Sequence, residues 1–146
     1  MMSRKYLEYL CIELRCWLES ADRSSLPDEF RNFPVGACEW ASCLLQMYLN
    51  LNGEDRFVAV YDISSDRGRV FLRRDDMIVD ITGDQFGWPP VIVSQSSPWH
   101  CRAKTDGVSP PSWPPEMLRL CGELLKIITK NQSSDDFRTQ ARPSAP

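Results

Sequence analysis

Apolar residues recur every four positions near the start of the chain, at Tyr6, Leu10, Leu14 and Leu18. Leu7 and Cys11 widen that stripe, and Arg4, Glu8 and Glu13 are left for the polar side. This period predicts an amphipathic helix over residues 3–20. Residues 21–35 carry Asp, Ser and two prolines, Pro27 and Pro34, and read as a long connection with no helix. A second helix is predicted over 37–50, where Trp40, Ala41, Leu44, Leu45 and Tyr48 share an inward face and Asn52 and Gly53 stop it.

The pattern then changes to β-branched and aromatic runs. Residues 56–63, 69–73 and 77–81 read as three consecutive antiparallel strands, with a tight turn at Asp75 and Asp76 between the last two. A further short strand is expected at 91–93, bounded by Pro89, Pro90 and a serine cluster. Residues 94–115 are rich in serine and proline and predict a loop. Pro114 and Pro115 lead into a closing helix over 116–130, with Met117, Leu120, Cys121, Leu124 and Ile128 at helical spacing. The order gives an α+β fold, with N-terminal helices packed on a small antiparallel sheet and a C-terminal helix. Residues 1–131 form one domain in this reading, and 132–146 a disordered polar tail.

Length and composition narrow the class. A chain of 146 residues suits one domain that buries roughly two thirds of its unfolded surface. Hydrophobic residues at 42% and charged residues at 25% match a globular protein rather than a disordered or fibrous one. The formal net charge of -3 argues against nucleic acid as a partner, because phosphate neutralisation needs an excess of lysine and arginine. Arg67, Arg69, Arg73 and Arg74 form a local cluster, read either as a solvated hairpin edge or as an anion or partner site.

Six cysteines could pair, but the opening MMSRKYLEYL lacks the succession a secretion signal needs, so free thiols in a reducing cytoplasm are expected. No CxxC spacing occurs, so neither structural zinc nor another metal or cofactor is expected. No apolar run approaches the roughly 20 residues that cross a bilayer, so a soluble chain without a membrane partner is expected.

The segment with chemical content is FPVGACEWASCLL, residues 33–45, where proline and glycine lead into a helix whose first turn contains Cys38. A thiol there feels the positive end of the helix dipole and nearby unpaired N–H groups, which favour its thiolate below the free value of about 8.5. The same N–H groups can hold an oxyanion. The plainer reading of Cys38 is a small buried hydrophobe at a helix start. Downstream, Asp80 stands in an otherwise apolar strand, where a carboxylate needs a donor or a cation to offset desolvation. In a cysteine triad that donor is the imidazole.

With FPVGACEWASCLL followed by RVFLRRDDMIVDITGDQFG, the chain resembles a family of small bacterial papain-like or transglutaminase-like cysteine enzymes. The family pattern is Phe-Pro-x-Gly-x-Cys, then His-x-Trp-Leu on one strand and Asp-Ile-Thr-Ala-Asp-Gln-Phe on the next. The resemblance spans residues 33–100, including the stretch from Ser97 to His100. It implies Cys38 as nucleophile and Asp80 as orienting acid, and it aligns Gln85 with the motif's glutamine. Arg69 stands where the family has histidine and Phe71 where it has tryptophan. A guanidinium cannot accept the thiol proton, although it could pair with Asp80 and favour a thiolate.

The expectation is an impaired or inactive homologue that binds a protein or peptide partner, with Arg69, Gln85 and Trp40 as candidate binding residues. One alternative is an active cysteine hydrolase, deamidase or acyl-transfer enzyme in which His100, the only histidine, supplies the base. Another is an immunity-type partner protein.

Overall fold

The computed structural model describes residues 2–62, 69–100 and 113–133. Helix α1 spans Arg4–Ser20, with the Ser3 hydroxyl accepting from the Tyr6 N–H at 3.2 Å as its N-cap. Its stripe of Tyr6, Leu7, Leu10, Cys11, Leu14 and Leu18 is buried as the period predicted. Glu13, assigned above to the polar side, is buried as well. It accepts from Tyr9 Oη at 2.8 Å, from Gln132 Nε2 at 2.8 Å and from Tyr48 Oη. Those three donors replace water and make the burial tolerable.

The connection after α1 contains two single 3₁₀ turns, Arg23–Ser25 and Asp28–Phe30, the second of which buries Phe30. Helix α2 spans Cys38–Leu51 and ends at Asn52, with Gly53 beyond it at φ 95°. Strands β1 (Val58–Asp62), β2 (Arg69–Arg74), β3 (Met77–Asp80) and β4 (Ile92–Ser94) form one antiparallel sheet in that order. The β2–β3 turn at Asp75 and Asp76 is present, with Asp75 in the left-handed region at φ 52°. Helix α3 spans Pro115–Ser133. It continues past the expected end at 130, and its Gln132 joins the domain through the bonds to Glu13 and Tyr48. The remainder of the expected tail, 134–146, and most of the 94–115 loop lie outside the described residues.

Strand alternation divides the sheet into two sides. Val70, Leu72, Val79 and Val93 belong to the large core, with α1, α2 and α3. Each fully buried leucine of that core, Leu72 among them, contributes about 1.5–3 kcal/mol. Val60, Phe71 and Ile78 form a separate small cluster, in which Val60 lies opposite Phe71 and Ile78 lies opposite Arg73, two residues along β2 on the same face. Among the described residues no helix is long and apolar enough to cross a membrane.

Two members of the arginine cluster, Arg69 and Arg74, are drawn into ion pairs rather than a solvated edge. Arg69 pairs with Asp62, and Arg74 is buried in a pair with Glu54 and stacks 5.0 Å above Phe57. Arg67 lies outside the described residues.

Candidate functional site

Gly36, at φ 70°, turns the chain into α2, and Ala37 at the N-cap has no side-chain oxygen to satisfy the first N–H groups. Cys38 therefore stands beside a free helix start, with its thiol near the N–H groups of Glu39 and Val70. One turn on, the Ser42 hydroxyl donates to the Val70 carbonyl at 3.1 Å and fastens this face of α2 to β2.

The surroundings of the thiol favour its protonated form. Burial pushes its pKa up, and the negative charges of Asp80 and Glu39 push the same way against the two N–H groups. Tyr61, whose hydroxyl donates to Glu39 at 3.4 Å, is itself pushed up to about 12, first by desolvation and then by Glu39. Both charged side chains that act on Cys38 are acidic, the reverse of the electropositive setting that lowers a reactive thiol.

Asp80 closes β3 and is buried. Its Oδ1 accepts from the Thr82 N–H at 2.8 Å and the Thr82 hydroxyl at 3.0 Å. Its Oδ2 lies 2.9 Å from His100 Nε2. The partner expected for Asp80 from the resemblance was the group at position 69. Arg69 instead pairs with Asp62, directly across the β1–β2 register, and lies 4.4 Å above the Trp88 ring and 5.4 Å above Phe86. In extended strands that cross-strand position is the nearest carboxylate a side chain on that face can meet.

The chain from Ser97 to His100 is a turn closed by the His100 N–H donating to the Ser97 carbonyl at 3.4 Å. It brings Ser97 Oγ to 2.6 Å from His100 Nδ1. Because the Asp80 carboxylate can only accept, Nε2 carries a proton, and when the ring is neutral Nδ1 accepts from the serine hydroxyl. Both ring nitrogens are thereby engaged, and neither is engaged by Cys38. Phe71 at 4.5 Å and Trp88 at 5.5 Å meet the imidazole at steep angles. Gly87, at φ 79°, is the residue that turns Trp88 back onto this site.

The second aspartate of the DITGDQF segment has a structural task. Asp84 receives both terminal nitrogens of Arg15, at 2.7 and 2.6 Å, while Arg15 also donates to the Ile81 carbonyl at 2.7 Å. The guanidinium lies 4.7 Å above Phe33, so α1, the approach to α2 and the turn after β3 share one anchor. Gln85 sits in the 3₁₀ turn Gly83–Phe86, and its Nε2, like Arg69 Nε, is buried with no hydrogen-bond partner among the described residues. Trp40 packs edge-on against Phe30 at 6.0 Å and is half-buried.

The structure thus brings Asp80 and His100 into contact and sets Cys38 within the electrostatic reach of Asp80. Arg69 joins the aromatic edge of that site through Trp88. Ser97 was not among the sequence candidates. Its signal was a serine three residues before the only histidine with a proline between them, a turn that returns the side chain onto the ring. Among the described residues no group of three or more His, Cys, Asp or Glu side chains could hold a metal ion. No protein-family model, no curated protein and no solved structure matches the chain.

Proposed function

We propose that this chain is a papain-like or transglutaminase-like homologue whose cysteine centre no longer catalyses, and that its scaffold binds a protein or peptide partner. The observation that carries the reading is the double engagement of His100, by Asp80 at 2.9 Å and Ser97 at 2.6 Å. A cysteine nucleophile needs a base within hydrogen-bond reach of its thiol. Here the only imidazole spends its accepting nitrogen on a serine, and position 69 holds a guanidinium committed to Asp62.

Burial and two acidic neighbours keep the Cys38 proton in place, which supports the same reading. The alternative, an active cysteine enzyme with His100 as its base, requires Nδ1 to leave Ser97. The half-buried aromatic edge of Phe86, Trp88 and Arg69 is the surface on which we place the partner.

A peptide library tests both halves. Incubation with the chain should leave every peptide chemically intact by mass, while a subset binds, and Trp88→Ala should weaken that binding about tenfold or more. Cleavage or deamidation that disappears in Cys38→Ser would refute the loss of catalysis. Absence of any bound peptide would refute the binding role.

A further inference from the structure

We propose that Ser97, His100 and Asp80 form a nucleophilic relay of their own, separate from Cys38, that transfers the acyl group of small apolar esters to water. The three groups lie in one line of hydrogen bonds, Ser97 Oγ to Nδ1 at 2.6 Å and Nε2 to Asp80 Oδ2 at 2.9 Å. Its polarity is fixed by the acid. Asp80 accepts the hydrogen bond from Nε2–H, so in the neutral ring Nδ1 is the free base and it faces a hydroxyl. Two further donors from Thr82 hold the carboxylate in place, so the acid is oriented independently of the imidazole.

The setting suits acyl transfer. Ser97 is 4% exposed, His100 6% and Asp80 6%, so the hydrogen bonds of the relay lie in a low-dielectric setting that strengthens them. Ser96 and Pro98, on either side of the serine, are exposed, so the turn that carries it lies at the surface. Phe71 and Trp88 flank the imidazole, and the half-buried Trp88 offers an apolar wall to an acyl chain.

In the first half-reaction Ser97 Oγ bonds to the ester carbonyl carbon while its proton passes to His100 Nδ1. The bond from that carbon to the leaving oxygen then breaks, and the Nδ1 proton goes to the departing alcohol. Water repeats the sequence on the acyl-serine, releasing the acid and restoring the Ser97 hydroxyl, and the Nε2 proton stays with the Asp80 pair throughout. Beyond the ester and water, no oxidant, metal or other reactant is required.

The full chain is treated with a fluorophosphonate, which marks base-activated serines, and assayed separately with p-nitrophenyl butyrate. The expected result is one phosphonyl adduct mapped to Ser97. Ser97→Ala should abolish the adduct and lower ester hydrolysis about 100-fold, and His100→Gln should slow labelling by a similar factor. An unlabelled Ser97 in the wild-type chain would overturn the relay, and that result does not depend on any variant folding. Labelling unaffected by His100→Gln would also overturn it. Hydrolysis that survives Ser97→Ala and falls with Cys38→Ser would overturn both the relay and the reading of Cys38 as inert, whereas silence at both residues overturns the relay alone.

Discussion

Oδ2 of Asp80 lies 2.9 Å from Nε2 of His100, and this contact between the end of β3 and a turn twenty residues later decides which ring nitrogen carries the proton. Asp80→Asn should reverse it. The amide oxygen would keep the Thr82 N–H, leaving the NH₂ group to donate to Nε2, so the ring proton moves to Nδ1 and is offered to Ser97. Nitrogen chemical shifts of His100 in the two proteins measure this directly. An unchanged tautomer would show that the carboxylate does not orient the ring.

Arg15 joins α1 to the turn after β3 through Asp84, and it is far more buried than its partner. Asp84→Ala leaves that guanidinium with Glu19 and the Ile81 carbonyl alone. A loss of about 3 kcal/mol in unfolding free energy is expected, the low end for a broken buried pair because the Asp84 side chain is one-third exposed. Urea denaturation checks it, and a loss below about 1 kcal/mol would place the pair among ordinary surface ion pairs.

Gly83 has no room for a side chain, because a Cβ there would overlap the Pro89 carbonyl and press on Ile92. The backbone of Trp88 and Pro89 must shift to admit it, so Gly83→Ala should cost about 1–3 kcal/mol. The same shift should move Trp88 away from Arg69 and His100, with a change in tryptophan fluorescence. Wild-type stability and emission in Gly83→Ala would contradict the close approach.

Cys11, Cys38 and Cys121 all hold their protons more tightly in the folded chain. Desolvation is the main cause at Cys11 and Cys38, and a hydrogen bond to Cys43 is the main cause at Cys121. Groups raised in this way give stability that is complete below the unfolded thiol value of about 8.5 and is lost as pH rises past it. Tyr61, raised to about 12, extends the loss further into the alkaline range. The urea midpoint should be level from pH 7 to 8 and fall above about pH 9. A midpoint that climbs through that window would mean that these thiols ionise more easily in the fold.

The helices and strands were legible because their periods are local, and the observed ends of α1, α2 and the four strands fall close to those read from the apolar pattern. Glu13 was misplaced for a complementary reason. Polarity assigned it to the outside of α1, whereas its burial depends on hydroxyl and amide groups that arrive from α2 and α3.

Arg69 and Asp62 could be paired only with the β1–β2 register in hand, since nothing in their spacing distinguishes Asp62 from Asp80 as a partner. Cys38 at a helix start and Asp80 at a strand end were readable as positions. The engagement of His100 by Ser97 was not, because it is made by the turn geometry rather than by the residue types.

The proposed loss of catalysis at Cys38 is tested most directly by the rate at which iodoacetamide alkylates that residue, followed by mass across pH 5 to 10. The account predicts slow reaction at neutral pH, slower than a free thiol, with a rate that keeps rising beyond the ordinary thiol range of about 8.5 and is insensitive to His100→Gln. Rapid alkylation already at its plateau below pH 7, and lost in His100→Gln, would show a thiolate–imidazolium pair and contradict the account.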